Sequence, residues 1–145
     1  TAEVIADVLG LPIAFDERLK EHDSGVVTGL SFKEVEARYP EIAAQWRSSP
    51  WYVPLPGAED NSVFLGRVMS AMDDIVCRHQ EDDTLAVIAH GGVLGTYLAG
   101  LLALDPRKRK PWMLDNASLS IVMLGGTRPR IALLNDTSHL NHLQG

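Results

Sequence analysis

Apolar residues recur at Val4, Ile5, Val8 and Leu9, a spacing of three and four that predicts a helix ending at Gly10. The pattern is already under way at Ala2, with Thr1 as the available cap. Leu11 to Leu19 reads as a short extended segment, followed by an irregular stretch, KEHDSGVVTG, with two glycines. Ser31 and Glu34 are spaced as a capping box before a short helix ending near Tyr39, and Pro40 opens another that runs to about Trp46. Ser48 to Asn61, SSPWYVPLPGAEDN, holds three prolines and a glycine and is expected to be a loop. Phe64, Val68, Ala71, Met72, Ile75 and Val76 then mark one face of a helix from about Ser62 to His79. Leu85 to Ala89 is continuously apolar and predicts a buried strand, Gly92 to Leu102 a helix, and Ser118 to Leu124 and Ile131 to Leu134 two more strands. Helices alternating with buried strands indicate an α/β sheet with helices on both faces.

Composition narrows the classes of partner. The 145 residues, 46% hydrophobic and 22% charged, suit a single domain with one ordinary core, and no repeat or linker divides them. A net charge of -6 argues against nucleic acid and anionic membrane surfaces, while leaving room for a small phosphate ester in a local positive pocket. The apolar runs are too short to span a bilayer, and no basic-then-apolar leader is expected. Cys77 has no partner for an internal disulfide; it is expected in or beside a helix core, and fits a reducing, cytoplasmic setting.

The stretch VIAHGGVLG puts His90 where an apolar run ends and a glycine pair opens a helix. In open α/β sheets ligands bind beyond the carboxyl ends of the strands, and a helix start directs N–H groups and a partial positive charge outward. His90 with Gly91 is therefore an anion site in outline, the alternative being a core histidine beside a tight turn. Glu21, His22 and Asp23 crowd a second segment. A carboxyl that donates a proton to a leaving oxygen works best partly buried, and Glu21 is the candidate, against the alternative of a solvated turn. Asp136, His139 and His142 make a poor metal set, so no metal and no cofactor are expected.

Several motifs in order resemble the histidine phosphatase superfamily, the phosphoglycerate mutase-like enzymes. TAEVIADVLGLPI is similar to the family's T-A-x-x-I-A segment, and DERLKEHDSGVVTGL to its L-x-E-x-x-x-G-x-x-x-G-L region. PGAEDNSVFLGRV is similar to P-G-G-E-S-x-x-x-x-x-R, VIAHGGVLGTYL to the second catalytic histidine motif, and DNASLSIV with LLNDTSHL to the closing strands. The resemblance implies a three-layer α/β/α sandwich, phosphoglycerate mutase-like and incomplete at the N-terminus. It also implies phosphoryl transfer through a phosphohistidine, with His90 and Gly91 binding phosphate and Glu21 as proton donor. Glu59 and Trp51 become candidates for the substrate pocket.

Departures from the family pattern shape the expectation. The family's nucleophile lies in an Arg-His-Gly motif that these residues do not contain; Arg78-His79 is followed by Gln80 at a predicted helix end. Two β–α units, roughly 60 residues, are expected to be missing ahead of Thr1. Residues 1–145 are accordingly expected to be the C-terminal portion of a histidine phosphatase domain. Asp60 stands where the family often has serine, and Ser24 and Val26 to Thr28 replace its usual aromatic and acidic residues. Only 69 positions (90 − 21) separate Glu21 from His90, which leaves no room for the long insert of the mutase branch and favours a phosphomonoesterase. The alternatives are an inactive remnant serving as a binding module, a mutase-like phosphotransferase, and a His/Asp metal-binding domain. The expected partner is a small phosphorylated substrate or inorganic phosphate, and unpaired sheet edges make a homo-oligomer possible.

Overall fold

Two apolar clusters organise the chain, each built on a helical stripe already visible as spacing. The structure, a computed structural model, describes residues 1–50, 52–105, 107–108 and 110–143. In chain order the helices are α1 (Ala2–Leu9), α2 (Phe32–Arg38), α3 (Pro40–Ser48), α4 (Asn61–Cys77) and α5 (Gly91–Leu101). Strands β1 (Leu119–Met123) and β2 (Arg130–Asp136) follow, and short 3-10 turns lie at Glu17–Leu19, Gly25–Val27 and Ser138–Leu143.

The larger cluster joins α4 to α5. The Asp60 side chain accepts the Ser62 amide at 2.8 Å and starts α4, which then turns Phe64, Val68 and Met72 onto Val93 and Tyr97 of α5. Val87 and Ala89 pack against the same cluster. The smaller cluster holds Val27, Val35 of α2 and Ala43 of α3, bordered by Tyr39, Trp46 and Leu55. Its geometry depends on the expected capping box, in which the Ser31 amide donates to Glu34 at 2.8 Å. Arg18 pins the turn before it to α4, meeting Asp16 at 2.7 Å and Asp74 at 2.6 Å. Its hydrogen bonds hold the Asp16 carboxyl down at about 2.

Strands β1 and β2 pair antiparallel, with Ile121 opposite Leu133 and Val122 opposite Ile131. The loop before β1 is tied to them at Asn135, whose Oδ1 accepts the Asp115 amide at 2.7 Å and whose Nδ2 donates to the Asp115 carboxylate at 2.8 Å. These contacts bring Leu114 alongside Gly91.

Two expectations are corrected. Leu85–Ala89 is not a strand: no described residue forms a ladder with it, and Leu85 and Ile88 stay exposed while Val87 and Ala89 face the core. An apolar run becomes a strand only when a neighbour supplies hydrogen bonds, which apolar sequence alone does not guarantee. The sheet among the described residues is the β1–β2 ribbon. Cys77, expected in or beside a helix core, is the last residue of α4 and is exposed, because the stripe carrying Phe64, Val68 and Met72 points away from it.

Candidate active site

His90 is the residue before α5, with extended backbone (φ −82°, ψ 157°) and an exposed side chain, so it is not a core histidine. Extended geometry there leaves the first N–H groups of α5 aimed out of the helix. Glu21 comes to the same place from 71 residues upstream, its Oε2 accepting the Gly92 amide at 3.1 Å. Its Oε1 accepts the amide of His22 at 2.8 Å. The structure thus brings together His90, Gly91 and Glu21, with the carboxylate on the positive end of α5. The expectation that Glu21 is partly buried is corrected: it is exposed, because it reaches across the surface to a helix end instead of into the core.

Gly92 makes this approach possible. A Cβ there would overlap the Glu21 carboxylate, lying 2.8 Å from its Cδ and 2.9 Å from Oε2. The segment carrying Glu21 is held from α4 by Arg67. Its Nε and Nη2 donate to the two oxygens of Glu59 at 2.7 and 2.8 Å, Nη1 donates to the Arg18 and Lys20 carbonyls at 2.6 and 2.7 Å, and Nη2 reaches the Glu21 carbonyl at 3.1 Å. The guanidinium also lies 4.7 Å above the Phe64 ring. The Arg67 hydrogen bonds lower the Glu59 carboxyl below its usual range and raise Arg67 in return.

Sequence reasoning missed Arg67 as a site residue. The available signal was its place eight residues after Glu59, across the start of α4. Glu59 itself is turned inward: its carboxylate is committed to Arg67, its carbonyl accepts from His22 Nε2 at 2.9 Å, and its amide donates to the Asp23 carbonyl at 2.9 Å. Because the Glu59 carbonyl can only accept, His22 carries its proton on Nε2. The Tyr52 hydroxyl lies 3.2 Å from that nitrogen, and the His22 ring meets Phe64 edge-on at 4.8 Å. Burial, then the charges of Asp60 and Glu59, push the Tyr52 phenol up.

Beside these residues a cavity of about 590 Å³ is lined by Tyr52, Leu55, Glu59, Asp60 and Arg107 among others. Glu59 therefore borders a pocket, while Trp51 lies outside the described residues. Asp23 is not drawn into the site, since its Oδ1 accepts the Gly25 amide at 2.8 Å in a local turn. Asp136 caps the Ser138 amide at 3.2 Å, and among the described residues no three His, Cys, Asp or Glu side chains converge as a metal site. No helix among them is long and apolar enough to cross a membrane.

The chain as a whole is matched by known proteins. The description "Histidine phosphatase superfamily (branch 1)" matches residues 1–137. The chain belongs to the histidine phosphatase superfamily. It is 29% identical over 143 residues to "Putative phosphoserine phosphatase 2" of Hydrogenobacter thermophilus, covering 99% of this chain and 70% of that one. Identity to "Phosphoserine phosphatase 1" of the same organism is 31% over 140 residues, covering 97% of this chain and 66% of the relative. Among solved structures, Bacillus stearothermophilus YhfR superposes with a TM-score of 0.80 at 26% identity, over 97% of this chain and 69% of its own. This histidine phosphatase chain therefore has the α/β fold of its family and spans about two thirds of these relatives, and it is similar to phosphomonoesterases by their names.

Proposed function

We propose that the site hydrolyses phosphate monoesters through a phosphohistidine, and that residues 1–145 are the C-terminal portion of a histidine phosphatase domain whose nucleophilic histidine lies outside them. The observation that carries this reading is the Glu21 carboxylate on the Gly92 amide at 3.1 Å, one residue beyond His90 and Gly91. This contact supports a proton-carrier role for Glu21 beside a helix end suited to anions. In this reading the His90 ring and the Gly91 amide hold nonbridging phosphate oxygens and offset the charge that builds on them. The nucleophile forms a P–N bond as the P–O ester bond breaks, and Glu21 gives its proton to the departing alkoxide. Water then attacks phosphorus, Glu21 takes its proton back, and the P–N bond breaks to release phosphate. Positive side chains and amides suffice for this, with no metal or other cofactor required.

The partner is a small phosphorylated substrate or inorganic phosphate, and the setting is cytoplasmic, in keeping with a lone exposed thiol. In the protein bearing the nucleophile, Glu21→Gln is expected to slow hydrolysis of alkyl phosphates with basic leaving groups by roughly 10²–10⁴. Esters with acidic leaving groups lose much less in the phosphorylation step. Equal losses for both would remove Glu21 from the acid role. Phosphate binding without turnover would instead identify an inactive binding module, and transfer of phosphate to an added alcohol a phosphotransferase.

A further inference from the structure

Helix α5 opens on residues that do little to hold its first turn. Its sequence is GGVLGTYLAGL, so three of its first five residues are glycine, no acidic residue stands in the first turn, and the His90 side chain makes no capping hydrogen bond among the described residues. Glycine is the weakest helix former after proline, and an uncapped end leaves its polar backbone groups to find partners elsewhere. At α5 those partners come from two distant segments, and both attach to Gly92. Glu21 Oε2 accepts the Gly92 amide at 3.1 Å, and the Lys110 ammonium donates to the Gly92 carbonyl at 3.1 Å.

Lys110 Nζ also donates to the Thr96 hydroxyl at 2.6 Å. Gly92 and Thr96 are four residues apart, so the side chain clamps one helical turn on one flank of α5. Room for its stem comes from Gly95, where a Cβ would stand 3.5 Å from Lys110 Cδ and 3.4 Å from Trp112 Nε1. The Phe64 ring faces two cations, the Arg67 guanidinium at 4.7 Å and the Lys110 ammonium at 5.8 Å. Arg67 holds Glu21 by its backbone carbonyl at 3.1 Å, which leaves the exposed carboxylate itself to the amides of His22 and Gly92 and to the charge of Lys110. Desolvation beside α5 pushes the Lys110 ammonium below its ordinary pKa, and the Glu21 charge opposes that shift.

We propose that Lys110 is a positioning residue for the phosphatase reaction: by clamping Gly92 to Thr96 and facing the Glu21 carboxylate, it keeps that carboxylate on the Gly92 amide. Its effect on the reaction runs through Glu21, so this assignment rests on the reading of Glu21 as proton carrier given above. Water competes for an exposed carboxylate, and a fixed opposite charge anchored to the same glycine biases it towards the helix end. Without the cation the first turn of α5 loses its clamp and the carboxylate swings into solvent.

In the protein bearing the nucleophile, Lys110→Met is expected to slow hydrolysis of alkyl phosphates with basic leaving groups by roughly 10–100-fold, the scale for a misplaced catalytic group, while esters with acidic leaving groups slow far less. Lys110→Arg, which keeps a cation and its donors, restores most of the rate. In the Glu21→Gln background the loss from Lys110→Met shrinks to within about twofold, because no carboxylate remains to be placed. Thr96→Val keeps the side-chain shape and removes one acceptor of the clamp; it shows the same selective loss in weaker form and serves should Lys110→Met not fold. Equal slowing of both ester classes, or a Lys110→Met loss undiminished beside Glu21→Gln, overturns the assignment. A readout without turnover is the Gly92 amide resonance: Glu21→Gln moves it in the native background and leaves it nearly unmoved beside Lys110→Met, and an equal movement in both backgrounds shows that Lys110 does not hold Glu21. Glu21→Gln without leaving-group selectivity refutes the proton-carrier reading alone, since the Gly92 comparison stands apart from it.

Discussion

Replacing Arg67 with methionine keeps most of the aliphatic stem while removing the guanidinium, with its contact on the Phe64 ring and every hydrogen bond it makes. Among the described residues these number five, two to Glu59 and three to the carbonyls of Arg18, Lys20 and Glu21. The Arg67 and Glu59 side chains are only 14% and 15% exposed, so the variant strands a carboxylate where water reaches it poorly. Breaking a fully buried pair costs 3–5 kcal/mol, and the residual solvent contact here places the cost at about 3 kcal/mol. At roughly 2–4 °C per kcal/mol for a chain of this size, the melting temperature falls by about 6–12 °C.

Urea unfolding of wild type, Arg67→Met, Glu59→Met and the double variant closes the cycle. The double variant is expected to be clearly less destabilised than the sum of the singles, because it leaves no uncompensated charge behind. The Gly92 amide resonance gives a separate readout, moving upfield as Glu21 loses its fixed position. A cost under about 1 kcal/mol with additive singles and an unmoved Gly92 signal would show that Arg67 does not hold the Glu21 segment.

Three further outcomes follow from individual contacts. Gly92→Ala drives the Glu21 carboxylate off the helix end while favouring the helix intrinsically by up to about 1 kcal/mol, so stability changes little and esters with basic leaving groups slow selectively, as in Glu21→Gln; parallel melting and kinetic series check this. Gly25→Ala is expected to destabilise by more than about 2 kcal/mol in urea titrations, since φ is +57° and a Cβ would run into the Pro56 carbonyl and the Ala58 amide, with Gly57 C at 2.6 Å. Its loss would separate the turn at Val26 from Pro56, whose carbonyl accepts the Val26 amide at 3.1 Å. Glu59 has its pKa lowered in the folded state, so its stabilisation is complete above the unfolded value of about 4.3 and is lost as pH falls through the lower folded value. The melting gap between wild type and Glu59→Gln therefore stays constant near neutrality and closes in acid; a gap that widened on acidification would contradict the sign.

Spacing within the sequence was enough to locate the helices, because a helix is closed by hydrogen bonds between residues four apart and its buried stripe repeats with its own turn. Phe64, Val68 and Met72 predicted α4 to within two residues at each end, and the Ser31–Glu34 capping box appears as read. The β1–β2 ribbon was equally legible, since its two strands are near neighbours in sequence and pair with each other. His90 at the mouth of α5 could be read from a histidine followed by two glycines, a local signal.

Tertiary structure decided the rest. Leu85–Ala89 has the composition of a strand, yet strand formation needs hydrogen-bonding neighbours that lie elsewhere in the chain or outside it, so composition could not settle the outcome. That Glu21, and not Asp23, meets the α5 helix end depends on the path of residues 18–21, which Arg67 fixes from 46 to 49 positions away. The same holds for Lys110 and Trp112, set against Gly92 and Gly95 by a loop anchored at Asn135. Periodicity records which face of an element is apolar, whereas these contacts depend on where distant elements place their polar ends, a property of packing that no single segment contains.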